Sequence, residues 1–179
     1  MRFAPLIRAG GMVLDLAAGH GRHARALAAA GLAVDAVDRD QAALDALRRI
    51  TGVRVHAADL EAGAWPFAAR LFDAIVVTNY LWRPLLPHLA ASLAPGGVLI
   101  YETFGVGNEK FGKPSNPEFL LRNGELLEFA RSSALTVVAF ESGLAARPGL
   151  AVIERICARR ADAHAAPAPL HSGTGTDTF

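Results

Sequence analysis

The segment Val13-Leu14-Asp15-Leu16-Ala17-Ala18-Gly19-His20-Gly21-Arg22-His23 limits this chain more than any other stretch. A short apolar strand runs into a turn of small residues, and a helix pattern begins directly after it. Chains with this junction fold as alternating strands and helices, and the turn aims backbone N–H groups and a helix N-terminus at a small ligand. The acid in the turn, Asp15, sets the polarity of that ligand. A carboxylate at the strand end suits a positively charged group and repels a pyrophosphate in a site of reduced dielectric.

The rest of the chain repeats the alternation, which predicts an α/β fold with a mostly parallel sheet and helices on both faces. Met12 to Leu16 reads as the first strand and Arg22 to Ala30 as the first helix, stopped by Gly31. A second strand spans Ala33 to Val37. Asp40 caps the next helix, whose Ala43, Leu44, Leu47 and Ile50 make one face; Arg48 and Arg49 lie in its last turn. Val53 to Ala57 is a short third strand. Phe72 to Thr78 is apolar on both faces, as a central strand should be. A proline-interrupted helix follows from about Leu85 to Leu93, and Pro95-Gly96-Gly97 turns into a fifth strand, Val98 to Tyr101.

Phe104 to Ser115 reads as a long mobile loop, and Asn116-Pro117-Glu118 as a helix start. A further helix spans about Gly124 to Arg131. Leu135 to Phe140 and Leu150 to Ala158, joined around Arg147-Pro148-Gly149, form an antiparallel edge pair. From Ala161 the composition shifts to Ala, Pro, Gly and Thr, which predicts a disordered tail over 161–179 after one domain over 1–160.

Composition excludes several functions. A net charge of +1 with no run of Lys or Arg gives no electrostatic footprint for nucleic acid or a membrane surface. The single cysteine, Cys157, cannot make an intramolecular disulfide. No apolar segment has the length of a signal peptide or a membrane span, so a cytoplasmic protein is expected. His20 and His23 have no Cys or carboxylate at metal-ligand spacing, and no metal is expected.

Two cofactors compete for the turn. Gly19-His20-Gly21-Arg22-His23-Ala24 satisfies the dinucleotide pattern, with Asp38 placed for a ribose hydroxyl, which motivates an NAD-dependent oxidoreductase. Asp15 opposes that reading, because S-adenosylmethionine carries both an ammonium and a sulfonium where NAD carries a pyrophosphate. A third acid, Asp59 in His56-Ala57-Ala58-Asp59-Leu60, follows the third strand, where an adenine amino group could be bound. Three acids at the ends of successive strands favour S-adenosylmethionine.

These residues, with Phe72-Asp73 and Pro95-Gly96-Gly97, resemble the class I S-adenosylmethionine-dependent methyltransferases over roughly residues 10–158. The stretch from Gly105 to Leu127 is similar to the bacterial small-molecule, tellurite-resistance-like branch. The resemblance implies a single-domain, Rossmann-like three-layer sandwich with seven strands in the order 3-2-1-4-5-7-6, strand seven antiparallel. It also implies that Asp15 and the turn residues Ala17, Gly19, His20 and Gly21 hold the methionine end. Asp38 then lies at the ribose and Asp59 with Leu60 at the adenine, with Arg39 and Asn79 also in the cofactor-binding set. Ala17 stands where the family has its first glycine, which the turn accommodates if φ stays negative. Only about ten residues precede the first strand, where relatives usually carry a helix that helps cover the cofactor, so either an unusually open site or a truncated start is expected.

Substrate residues are expected beyond the fourth and fifth strands, at Tyr80, Trp82, Arg83 and Glu102. Tyr80 and Trp82 would make an apolar wall, and Arg83 would attract an anionic acceptor. Asn79-Tyr80 does not complete the Asn-Pro-Pro-Tyr pattern of nucleic-acid base methylation, so the acceptor is expected to be a small molecule. A monomer or homodimer is expected. Besides the oxidoreductase, a non-catalytic binding module remains an alternative, motivated by the short N-terminus and the absence of an obvious base.

Overall fold

The structure is a computed structural model and describes residues 2–146 and 149–162. The expected joint at Arg147-Pro148 and all of the expected disordered tail beyond Asp162 lie outside the described residues. The strands are β1 (Met12–Leu16), β2 (Ala33–Asp38), β3 (Val53–Ala57), β4 (Phe72–Thr78), β5 (Leu93–Phe104), β6 (Leu135–Ala145) and β7 (Ala151–Arg160). They form one seven-stranded sheet in the order β3-β2-β1-β4-β5-β7-β6. β1 to β5 are mutually parallel, and β7 is antiparallel to both β5 and β6. This is the order and the strand direction that the resemblance implies.

Helices cover both faces, because side chains alternate along each strand. On β1, Val13 packs toward α1 (Arg22–Ala29) and α2 (Gln41–Asp45), in one core with Ala24, Leu27 and Leu44. Leu14 and Leu16 pack into the opposite core with Leu89 of α3 (Leu86–Ala91) and with Leu126 and Phe129 of α4 (Glu125–Ser132). Ala74, Ile75, Val76 and Val77 of β4 have no exposed surface, as a strand between two helix layers requires.

Four expectations need correction. Pro95-Gly96-Gly97 is not a turn before the fifth strand. β5 already pairs with β4 at Leu93, and the glycines are absorbed in a register shift opposite Phe72 and Ala74. Asn116 does cap, accepting from Glu118 N at 3.1 Å, but the helix it starts is one 3₁₀ turn, Pro117–Phe119, after which Leu120 is extended. The second helix is likewise shorter than its apolar face suggested: α2 ends at Asp45, although Leu47 is fully buried. The loop after β5 is tied at its middle. Asn108 is buried, donates to Pro114 O at 3.1 Å and accepts from Val152 N at 3.1 Å.

Residues 2–8 close the α1 side of the sheet. Phe3 and Ile7 are buried in the core with α1. Arg8 pairs with Asp73 at 3.1 Å, and the same carboxylate accepts from Met12 N at 2.8 Å.

At the far edge, Asp35 of β2 is buried with His56 Nε2 at 2.6 Å and Arg70 Nη2 at 2.5 Å. Burial acts to raise its pKa, but the bonds from Arg70 and His56 outweigh it and hold the carboxyl below the usual range. A lowered folded-state pKa stabilises the protein above the unfolded value of about 4 and loses that stability as pH falls through the folded value. Asp35→Asn is expected to cost about 3 kcal/mol at neutral pH, because it leaves the Arg70 guanidinium without its buried carboxylate. It should also flatten the acid limb of the stability curve. Denaturant unfolding across the acid range checks this; an unchanged midpoint at neutral pH would contradict it.

Candidate active site

The site is built from the turns after β1, β2, β3 and β4. Asp15 is buried at the end of β1, and its Oδ2 accepts from Ala24 N, the third residue of α1, at 2.9 Å. One carboxylate therefore caps the helix that follows its own strand. Burial pushes its pKa up to about 7, with the Ala24 N–H opposing and Asp38 adding to the rise. Asp38 ties the first turn to the second: Oδ2 accepts from Gly19 N at 2.7 Å and Oδ1 from Asp40 N at 2.9 Å. Asp40 in turn caps α2 by accepting from Ala43 N at 3.1 Å. Asp59 closes the third turn, with Oδ1 accepting from Glu61 N at 2.9 Å.

Two turn positions carry the backbone constraint. Gly21 has φ +72°, and a Cβ there would lie 2.2 Å from Leu47 Cδ2, a fully buried side chain. Glycine is required on both counts. Ala17 has φ +52°. The condition of a negative φ is not met, and an alanine occupies the left-handed region at the cost of roughly 1 kcal/mol. Asn79 is also left-handed, with φ +54° and its N–H on Glu102 O at 2.9 Å; asparagine tolerates this better than most residues.

Ala17, Asp38, Arg39, Asp59, Leu60 and Tyr80 line one cleft of about 180 Å³. Five of these six are cofactor residues expected from sequence. Asp15 and Gly21 are buried and His20 is exposed. Asn79 and Tyr80 line an adjoining pocket with Glu61 and Phe119. Tyr80 Oη is buried without a hydrogen-bond partner. Burial, together with the Glu61 and Asp59 carboxylates, pushes its ionisation well above the ordinary tyrosine value, so it stays a neutral hydroxyl.

The expected substrate residues do not come together. Arg83 is not available to an anion: it bonds Glu125 Oε1 at 2.7 Å, Glu118 O at 2.7 Å and Leu120 O at 2.9 Å. Trp82 is half-buried against the core rather than walling a pocket. Glu102 lies on the α1 face with Arg22, His23 and Thr78, around a cavity of about 20 Å³, roughly the room for one or two waters. Burial raises the Glu102 pKa, with Arg155 opposing, and burial lowers that of His23 to about 4. Sequence reasoning missed Glu61 and Phe119; the Asx turn that carries Glu61 was the available signal. Among the described residues, no group of three or more His, Cys, Asp or Glu is placed to hold a metal.

Residues 13–97 match the family described as "Methyltransferase domain". TehB from Haemophilus influenzae has a similar fold, with a TM-score of 0.74, 17% identity and 89% of this chain covered; the chain spans 60% of that protein's length. A S-adenosylmethionine-dependent methyltransferase from Methanosarcina mazei superposes with a TM-score of 0.71 at 16% identity, covering 90% of this chain and 97% of that one. N-methyltransferase NodS from Bradyrhizobium japonicum gives 0.66 at 20% identity, covering 90% and 95%. No curated protein matches the chain in sequence. A methyltransferase domain thus matches a little under half of the chain, and the fold over most of it is that of solved S-adenosylmethionine-dependent methyltransferases. No helix among the described residues is long and apolar enough to cross a membrane.

The two constrained turn positions predict opposite outcomes. Ala17→Gly should raise stability by about 0.5 kcal/mol, the relieved strain partly offset by unfolded-chain entropy. Gly21→Ala should lower it by about 2–4 kcal/mol, through overlap with Leu47 and its own left-handed φ. Thermal unfolding of both variants is the check; two shifts of the same sign would contradict the geometry.

Proposed function

We propose that the chain transfers a methyl group from S-adenosylmethionine to a small-molecule acceptor. The observation that carries this reading is the placement of carboxylates at the ends of β1, β2 and β3: Asp38 and Asp59 line one cleft, and Asp15 is buried at the end of β1 with its pKa raised. The residues fit the cofactor's chemistry. Asp38 has two oxygens, each with lone pairs left after accepting one backbone N–H, which suits a pair of ribose hydroxyls. Arg39, Asp59 and Leu60 would frame the adenine, and Tyr80 Oη offers an unmet polar atom at the cleft wall. Asp15, reached through the turn of Ala17, Gly19 and His20, would face the positive end.

The bound cofactor supplies an electrophilic methyl group on a sulfonium centre. The chain's own contribution is placement: the turns hold the donor, Asn79 fixes the end of β4 beside it, and the acceptor enters from the adjoining pocket. Holding the two in line supplies much of the rate without a metal or covalent intermediate. The oxidoreductase reading is disfavoured by the buried Asp15, which would face a pyrophosphate. A cytoplasmic monomer or homodimer acting on neither nucleic acid nor membrane completes the proposal.

Calorimetric titration with S-adenosylhomocysteine tests it. The wild-type protein should bind this product and should show no affinity for NADH. Asp38→Ala should weaken binding roughly tenfold to a hundredfold, the loss of hydrogen bonds to a charged acceptor. Absence of binding by the wild type at millimolar ligand, or unchanged affinity in the variant, would overturn the assignment.

A further inference from the structure

The pocket beside the cofactor cleft holds about 190 Å³ and is lined by Glu61, Asn79, Tyr80, Phe104, Pro114 and Phe119 among others. It lies beyond the carboxyl ends of β4 and β5, and Glu61 and Tyr80 belong to its wall and to that of the cleft. Its composition is one-sided. Among the described residues, three aromatics and one carboxylate contribute to the lining, and no Lys, Arg or His does. Across the shared wall lie two further carboxylates, Asp38 and Asp59, with Arg39 as the one cation beside them. The nearby cation expected from sequence to draw in an anion, Arg83, is committed to Glu125 and two backbone carbonyls. An anionic acceptor would therefore lose its hydration against a carboxylate with nothing to replace it.

A cation meets the reverse situation. Aromatic faces and a carboxylate are the combination that receives an ammonium group. Tyr80 Oη, buried and without a partner, is a hydroxyl able to accept an N–H. Phe119, on the pocket wall, is 41% exposed, which leaves an apolar surface at the opening.

We infer that the acceptor is an amine carried on an apolar body, bound with its nitrogen at Glu61 and its body against Tyr80, Phe104 and Phe119. This rests on the methyl-transfer reading above and names its substrate class. The bound ammonium gives one proton to the Glu61 carboxylate, which passes it to water. The nitrogen lone pair so exposed forms a bond to the methyl carbon as the carbon–sulfur bond breaks, its electron pair staying on sulfur. The product leaves as a methylammonium ion.

The test uses the full chain saturated with S-adenosylhomocysteine, titrated calorimetrically with phenethylamine and, separately, with hydrocinnamate, a carboxylate of similar shape. The amine should bind roughly tenfold or more tightly. Phe119→Ala, at a half-exposed position, should weaken amine binding about tenfold while leaving affinity for S-adenosylhomocysteine unchanged. Glu61→Gln should remove the preference for amine over carboxylate. With S-adenosylmethionine present, phenethylamine should yield S-adenosylhomocysteine. Equal binding, tighter binding of the carboxylate, or no binding of either by the loaded protein would overturn the amine assignment and leave the methyl-donor reading standing. Failure to bind S-adenosylhomocysteine in the first place would overturn that earlier reading instead.

Discussion

The hydrogen bond from Ala24 N to Asp15 Oδ2, 2.9 Å long, joins the end of β1 to the first turn of α1. The rest of the site depends on it. It satisfies a helix N–H that has no intrahelical partner, and it fixes the direction in which the turn between strand and helix must run. Gly21 lets α1 approach Leu47 within that turn, and Gly19 then points its N–H at Asp38. From Asp38 the order passes to Asp40 and the start of α2. A carboxylate at each joint thus organises the backbone around the cleft and leaves lone pairs for a ligand.

The same arrangement sets the charge of the site. Asp15, Asp38, Asp59 and Glu61 gather on one side of the sheet's carboxyl edge, while several cations elsewhere are paired: Arg83 with Glu125, Arg70 with Asp35, Arg8 with Asp73. Asp15 is the member most affected, because it is buried and close to Asp38. Its folded-state pKa lies above the unfolded value near 4, so folding is penalised progressively as pH rises from there through about 7. A positively charged ligand group relieves that penalty. In the proposed function, the feature that weakens the folded protein is also the one that selects the donor, as is common at functional sites.

Much of the fold was legible in the sequence because local signals and burial agree. Phe72 to Thr78 is apolar on both faces and lies between two helix layers; Asp40 caps where it should. The failures share a cause, which is a partner distant in sequence. Arg83 was assigned to a ligand because Glu125, 42 residues away, gives no sign of facing it. Asn116-Pro117-Glu118 has every local mark of a helix start. Leu121, however, is drawn into a bridge with Gly105, and the helix ends after one turn. The Gly96-Gly97 pair signals a turn, yet β4 recruits it into a strand. Ala17 is the subtlest case, since a small residue gives no sign of φ, and the left-handed turn is imposed by its neighbours. In the site, single acids at strand ends were readable, but the pocket beyond them was not, since Glu61, Tyr80 and Phe119 meet only in the folded chain.

In the proposed function the turn selects its ligand through an Asp15 carboxylate that becomes fully ionised when a positive group arrives. Calorimetry of S-adenosylhomocysteine binding just below pH 7, in two buffers of different ionisation heat, measures this directly. Release of roughly half a proton or more per molecule bound is expected, with loss of that release in Asp15→Asn together with much of the affinity. Binding with no proton exchange, and equally tight in Asp15→Asn, would contradict it.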